Sequence, residues 1–224
     1  MMNSFEKFFQ DKNPGNMSAM RQFVSQQTPY IIQEHELHGT QMDIFSRLMK
    51  DRIIYFASEV SDVTCSIVNA QLLFLASEDP ESKITMYIDS PGGACSSGFG
   101  LVETMGFIQP KVETINMGMA ASMGSLLLMA GARGMRRSLP GSKVLIHQPR
   151  ISGLPGTHTA DELKIEADEI MKTKKELFDF IAMRTGKTYE EVESGAKLDQ
   201  WLTAQEALEY GCIDDIIKID WSKK

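Results

Sequence analysis

Short apolar runs alternate with amphipathic segments along most of the chain. β-branched, aromatic and other apolar residues predominate in the runs at 52–56, 84–88, 112–116 and 144–147, which predicts strands. Between these runs, apolar residues recur at intervals of three and four, which is the helical period. Alternating strands and helices need crossover connections, so the pattern predicts an α/β fold with a mainly parallel sheet.

Capping residues and breakers mark the ends of the predicted helices. Ser61 or Asp62 opens a helix that runs to about residue 77, and a helical stretch at 96–109 ends before Pro110. The buried face expected for the first of these helices carries Val63, Ile67, Ala70 and Phe74. Two short helices near the C-terminus are predicted by capping boxes, Thr188 with Glu191 and Thr203 with Glu206, before a final strand at 212–217.

The longest helical pattern covers residues 159–185. A capping box of Thr159 and Glu162 opens it, and Gly186 ends it. Its apolar stripe consists of Leu163, Ala167, Ile170, Leu177, Phe178 and Ile181. We expect this helix to be an outgrowth of a single domain that spans residues 29–224.

Residues 1–28 lack this organisation. A turn-rich stretch at 11–16 interrupts them, and a Thr-Pro pair follows at 28–29. We expect a flexible N-terminal segment here, with three alternatives open: an inert tail, a docking arm or a removable propeptide.

Composition narrows the classes of function. The chain has 23 basic and 30 acidic side chains, a net charge of −7, which argues against a nucleic-acid-binding face. Three cysteines without paired spacing and four histidines without metal-ligand spacing predict a reducing compartment and no bound metal. No apolar run approaches the ~20 residues of a membrane helix, and no signal-peptide core is present, so a cytoplasmic protein is expected.

A strand-to-helix junction at residues 118–125 is the first chemical candidate. Ser122 lies there among Gly and Ala residues, between the 112–116 strand and an apolar helix. A nucleophile elbow has the same layout, because the junction lifts a hydroxyl clear of the backbone beside unpaired amide N–H groups. The G-x-S-x-G pattern is incomplete, since Ala120 replaces its first glycine, and a plain helix N-cap fits the stretch as well.

A serine nucleophile needs a base and a group that orients the base. His147 ends the 144–147 strand at the same carboxyl edge of the sheet as Ser122, and an imidazole accepts a proton at neutral pH. Asp199, close to Trp201, is a candidate for a partly buried acid. Each residue also fits a structural role, because His147 could be an ordinary strand-end histidine and Asp199 a turn former.

Stabilisation of an oxyanion needs fixed backbone N–H groups. The Gly92-Gly93 pair after the 84–88 strand offers such groups, and Met123 could supply another at the start of the helix. Taken singly, Pro-Gly-Gly is also a common turn and Met123 a common core residue.

Four segments of the chain, 88–93, 118–125, 146–149 and 199–204, carry a more specific signal. Their sequences, IDSPGG, GMAASMGS, IHQP and DQWLTA, resemble the successive signatures of the ClpP family, the proteolytic subunits of ATP-dependent Clp protease. The resemblance extends over roughly residues 42–217. It implies a serine endopeptidase whose triad is Ser122, His147 and Asp199, with oxyanion donors at the backbone of Gly93 and Met123. It also implies the ClpP/crotonase fold, repeated strand-strand-helix units with residues 159–185 as a protruding handle helix.

The resemblance implies partners as well. In this family two stacked seven-membered rings enclose a chamber of active sites, and the handle helices of the two rings interdigitate. AAA+ unfoldases of the ClpX, ClpA or ClpC kind feed unfolded proteins into the chamber. The subunit itself would need no cofactor, because ATP is used by the unfoldase and this sequence has no Walker loop. Neither nucleic acid nor a membrane is expected as a partner.

One position departs from the family pattern, and two alternative functions stay open. Leu198 stands where the family usually has an arginine that couples ring contact to the active site. A crotonase-like hydratase or isomerase would use the same fold but catalyse with carboxylates. An inactive ring subunit would be expected to lack a triad residue, and all three positions are filled here.

Overall fold

The computed structural model describes residues 30–35, 38–151 and 156–223, which divide between two compact units. Described residues up to Asp51 form an antiparallel pair of strands, β1 (Tyr30–His35) and β2 (His38–Asp43), followed by helix α1 (Ile44–Lys50). The flexible segment predicted at 1–28 lies outside the described residues.

The unit from Arg52 onward is built on a seven-stranded sheet. Its strands are β3 (Ile53–Phe56), β4 (Ile84–Ser90), β5 (Val112–Ala121), β6 (Arg136–Ser138), β7 (Lys143–Ile146), β8 (Gln200–Thr203) and β9 (Asp215–Ile216). Parallel pairing runs in the order β3-β4-β5-β6-β9, β7 is parallel to the far end of β5, and β8 is antiparallel to β7. The predicted mainly parallel α/β sheet is confirmed.

Helices connect most of these strands. They are α2 (Asp62–Glu78), α3 (Cys95–Phe107), α4 (Met123–Ala130), α5 (Ala160–Thr185), α6 (Tyr189–Gly195) and α7 (Ala204–Tyr210), with a 3₁₀ turn at Trp221–Lys223. The predicted caps are observed, since Ser61 caps α2, and the capping boxes opened by Thr159, Thr188 and Thr203 precede α5, α6 and α7. Caps are read correctly from sequence because donor and acceptor lie within one turn. None of the helices in the described part of the chain is long and apolar enough to cross a membrane.

The buried faces of two helices differ from the predicted faces. Val63 and Phe74 of α2 are 39% and 50% exposed. The buried side chains of α2 are instead Cys65, Val68, Leu72 and Leu75. In α5, Leu163 is exposed, and the buried side chains are confined to Leu177, Phe178 and Ile181 near the C-terminal end. The elements that pack against a helix decide which face is buried, and periodicity alone does not identify those elements.

Strand β5 continues beyond the predicted 112–116 run. It changes partner midway, because residues 114–116 pair with β6 and residues 119–121 pair with β7. Asp89 Oδ1 accepts a hydrogen bond of 2.9 Å from Met119 N and so holds the second half. This Gly- and Ala-containing half has little intrinsic strand preference, so pairing across the sheet makes it a strand. The last predicted strand, 212–217, is shorter than expected and is limited to β9.

A buried ion pair ties β6 to the segment before β9. Arg136 is 4% exposed, and its guanidinium donates to both carboxylate oxygens of Asp214 at 3.0 and 2.5 Å. It also donates to the carbonyl oxygens of Arg184 and Gly211. Burial disfavours the Asp214 carboxylate, but the hydrogen bonds from Arg136 outweigh burial and hold the pKa of that carboxyl below its ordinary value of 3.8.

Replacing Asp214 by asparagine is expected to lower the free energy of unfolding at pH 7 by roughly 3 kcal/mol, because the buried Arg136 charge would lose its counterion. The pKa of Asp214 is lower in the folded than in the unfolded chain. Its ionisation therefore stabilises the fold above pH ~4, and this contribution is lost as the pH falls through the folded pKa. In urea unfolding experiments, the difference in free energy of unfolding between the wild type and Asp214→Asn should decrease as the pH is lowered. The exposed neighbour variant Asp215→Asn is the matched control, and a gap that stays constant with pH would contradict the account.

Candidate active site

Ser122 is the single residue between β5 and α4. Its backbone has φ 52° and ψ −123°, a conformation that costs a residue other than glycine about 1–3 kcal/mol. Hydrogen bonds on both sides fix it, since Ser122 N donates to Leu145 O at 2.9 Å and Ser122 O accepts from Ser125 N at 2.9 Å. The sharp turn is therefore held by β7 on one side and by α4 on the other.

The Ser122 hydroxyl does not cap the helix that follows it. Ser122 stands at the N-cap position of α4, but its side chain makes no capping hydrogen bond. The plain N-cap alternative that the sequence left open thus lacks the interaction that defines it. The strained turn presents the side chain to a neighbouring cavity instead.

Ser122 and His147 line the same cavity. The remaining lining residues are mostly apolar: Cys95, Met123, Ser125, Leu126, Ile146, Pro149, Leu177 and Ile181. Cys95 is a second potential nucleophile there, but burial raises the pKa of its thiol and so reduces the reactive thiolate. The chemistry of the cavity therefore favours the Ser122 hydroxyl next to the His147 imidazole.

His147 and Asp199 are brought together by the pairing of β7 with β8. Ile146 lies opposite Gln200 in this antiparallel pair, so His147, just after β7, meets Asp199, just before β8. His147 Nδ1 and Asp199 Oδ1 are 3.3 Å apart, yet Nδ1 is buried and has no hydrogen-bond partner. The distance is within reach of a weak hydrogen bond, but the geometry is not that of one, so the two groups are adjacent and unbonded.

Asp199 has another partner. Arg150 Nη2 donates a hydrogen bond to Asp199 Oδ1, the same oxygen that faces His147. Nothing in the sequence pattern singles out this arginine beyond its position three residues after His147, at the start of the loop expected at 150–158. Its contact with Asp199 depends on the β7–β8 pairing, which the sequence pattern did not predict.

The Pro-Gly-Gly turn packs directly against the Ser122 turn. A Cβ added at Gly92 would lie 2.6 Å from Ala121 O and 2.6 Å from Ser122 Cβ, so only glycine allows this approach. Val60 pairs with this turn through two backbone hydrogen bonds, since Val60 N donates to Gly92 O and Ala94 N donates to Val60 O. Gly93 lies between these two bonds, so its own N–H points to the side opposite Val60.

Met123 is the residue predicted to be the second backbone donor. It is the first residue of α4, and N–H groups in the first turn of a helix have no partner within the helix. A Cβ at Gly92 would approach Met123 N to 3.0 Å, so the two predicted donor segments lie side by side. The structure thus gathers all five predicted site residues around the end of β5.

A metal centre is not formed by the residues that the structure describes. No group of three or more His, Cys, Asp or Glu side chains among them is placed to hold a metal ion. The arrangement that is present, a strained serine, a histidine, an aspartate and backbone N–H groups, suits acyl transfer.

Comparison with known sequences identifies the family. The sequence model of the Clp protease family matches residues 35–220, a range that contains all five candidate site residues. The chain belongs to the Clp protease family. The resemblance drawn from the four segments is therefore confirmed, and the family is one of proteases.

Members of the Clp protease family from several organisms are similar to this chain over most of its length. The ATP-dependent Clp protease proteolytic subunit of Porphyromonas gingivalis is 45% identical over 221 residues, which cover 97% of this chain and 98% of that protein. The subunit of the same name from Bacteroides fragilis is 49% identical over 189 residues, covering 84% of this chain and 90% of that protein. That of Bacteroides thetaiotaomicron is 49% identical over 189 residues, covering 84% of each chain.

Proposed function

We propose that this protein is a serine endopeptidase, the proteolytic subunit of an ATP-dependent Clp protease, with Ser122, His147 and Asp199 as its triad. The observation that carries the proposal is the strained backbone of Ser122 at the end of β5, in a cavity that it shares with His147. Asp199 lies next to His147, with Oδ1 3.3 Å from Nδ1. Together they supply the nucleophile, the base and the orienting acid of a serine peptidase.

The reaction uses each group at a stated atom. His147 Nε2 takes the Ser122 Oγ proton as Oγ attacks the carbonyl carbon of the scissile peptide bond. The same proton passes to the leaving amine, the C–N bond breaks, and an acyl-enzyme ester remains on Ser122. Water, deprotonated by His147, then attacks the ester carbonyl carbon. The ester C–O bond breaks, His147 returns the proton to Ser122 Oγ, and the second product leaves as a carboxylic acid.

Backbone N–H groups of Gly93 and Met123 are proposed to bind the oxyanion. The Gly93 N–H faces away from Val60, and Met123 begins the helix that follows Ser122. Both lie on segments fixed by β-pairing or helix formation, so the donors need no rearrangement as negative charge develops. Losing one such donor typically lowers kcat by ~10²–10³-fold.

The substrate is proposed to be an unfolded polypeptide, delivered by a AAA+ unfoldase of the ClpX, ClpA or ClpC kind in the cytoplasm. The names of the relatives include ATP dependence, whereas this sequence has no Walker loop, so a partner would hydrolyse the ATP and this subunit would need no cofactor. Two stacked heptameric rings would enclose the active sites. The apolar residues Leu163, Ile165 and Met171 on α5 are 47%, 60% and 59% exposed, and contact between subunits would bury such a surface.

The proposal is tested with a fluorophosphonate probe and native mass spectrometry. A serine peptidase should react with the probe at Ser122, as located by peptide mapping, and the assembly should have the mass of fourteen subunits (two heptameric rings), because the proposal requires a closed chamber. Absence of labelling would favour carboxylate chemistry of the crotonase type, and would contradict the triad. A fully active monomer would leave the triad intact but contradict the chamber.

A further inference from the structure

One carboxylate oxygen of Asp199 faces two nitrogen donors. Arg150 Nη2 donates a hydrogen bond to Asp199 Oδ1, and His147 Nδ1 lies 3.3 Å from the same oxygen. The arginine bond is formed, whereas His147 Nδ1 is buried and has no hydrogen-bond partner. The two donors therefore compete for the orientation of one carboxylate, and in this structure the carboxylate is oriented to bond Arg150 and not His147.

Such competition weakens the base of a triad. An imidazole accepts the serine proton more readily when a carboxylate binds its other nitrogen and stabilises the imidazolium that forms. A guanidinium on that carboxylate compensates its negative charge and takes its strongest hydrogen bond. Cys95, the other titratable side chain of the cavity, adds no compensating charge, because burial raises the pKa of its thiol.

The contact between Arg150 and Asp199 is one that can open. Their side chains are 65% and 42% exposed, and Arg150 follows the strand-end histidine by three residues. Exposed ion pairs are weak and are screened by salt, so a modest change in the surroundings is enough to separate them. Opening the pair would leave Asp199 Oδ1 available to the adjacent Nδ1 of His147.

We propose that Arg150 is a positioning residue that restrains the triad by holding the Asp199 carboxylate in an orientation that does not bond His147 in the resting subunit. Release of Arg150 lets the hydrogen bond between His147 and Asp199 form and raises the reactivity of Ser122. The inference rests on the proposed serine peptidase function and adds to it a residue that controls the reactivity of Ser122.

The test compares Arg150→Gln with the wild-type assembly. The second-order rate of Ser122 labelling by a fluorophosphonate, and kcat for a short fluorogenic peptide, are both expected to rise roughly two- to fivefold at low salt, with KM unchanged. Raising the salt from about 0.05 M to about 0.5 M should accelerate wild-type labelling and leave the Arg150→Gln rate nearly constant. Arg150→Lys keeps the positive charge but lacks the planar guanidinium, so its labelling rate should lie between those of the wild type and Arg150→Gln.

A second variant separates competition from a structural effect of the loop. In an Asp199→Asn background the carboxylate is gone, so adding Arg150→Gln should change the labelling rate no further. If Ser122 is labelled in both proteins, but no faster in Arg150→Gln than in the wild type, the proposed role of Arg150 is wrong and the serine peptidase function still stands. If Ser122 is labelled in neither protein, the serine peptidase function fails, and the inference fails with it.

Discussion

Replacing Ser122 by alanine is expected to lower kcat for peptide hydrolysis by ~10⁶-fold, which is the scale seen when the nucleophile of a serine protease is removed. The substitution deletes one hydroxyl that makes no capping bond, so the α4 helix and the assembly should be retained. The measurement is hydrolysis of a fluorogenic peptide, with circular dichroism and native mass as checks on folding.

The exposed Ser96 on α3 offers a matched control for this substitution. Ser96→Ala removes the same atom from a residue outside the cavity and should retain wild-type kcat. Hydrolysis by Ser122→Ala at a near wild-type rate would assign the nucleophile to another group, with Cys95 the first to examine because it lines the same cavity.

Replacing His147 by alanine is expected to lower kcat by a similar ~10⁶-fold, because an unassisted serine hydroxyl is a poor nucleophile at neutral pH. The more informative protein is the double variant with Ser122→Ala. Nucleophile and base act as one unit, so the double variant should be no slower than either single variant.

His158→Ala is the matched control, since His158 does not line the cavity and should be replaceable with little loss of kcat. Peptide hydrolysis at a single pH is sufficient for the comparison. Losses that add up in the double variant would show that Ser122 and His147 act independently, which is incompatible with a shared proton transfer.

Helix boundaries were the most predictable part of the fold. The capping boxes at Thr159, Thr188 and Thr203 each satisfy backbone N–H groups within one turn, so a four-residue pattern contains the whole interaction. Burial was less predictable. Arginine is mostly a surface residue, yet Arg136 is buried because Asp214, 78 residues away, neutralises it.

The candidate site was predictable in part. Family signatures selected Ser122, His147 and Asp199, and the rule that catalytic groups gather at the carboxyl edge of parallel strands predicted that the first two are neighbours. The sequence did not predict the second half of β5, because residues 117–121 become a strand only by pairing with β7. That pairing fixes the Ser122 turn through the bond from Ser122 N to Leu145 O.

The fold class, the family and the identities of the candidate triad could be predicted from the sequence alone, because these depend on periodicity and on short contiguous motifs. The positive φ of Ser122, the close approach of Gly92 and the bond from Arg150 to the Asp199 oxygen that faces His147 follow from the tertiary structure. The physical reason is that each of these depends on contacts between strands far apart in the chain. A local pattern specifies which groups are present, and the packing of β5, β7 and β8 specifies which of them meet.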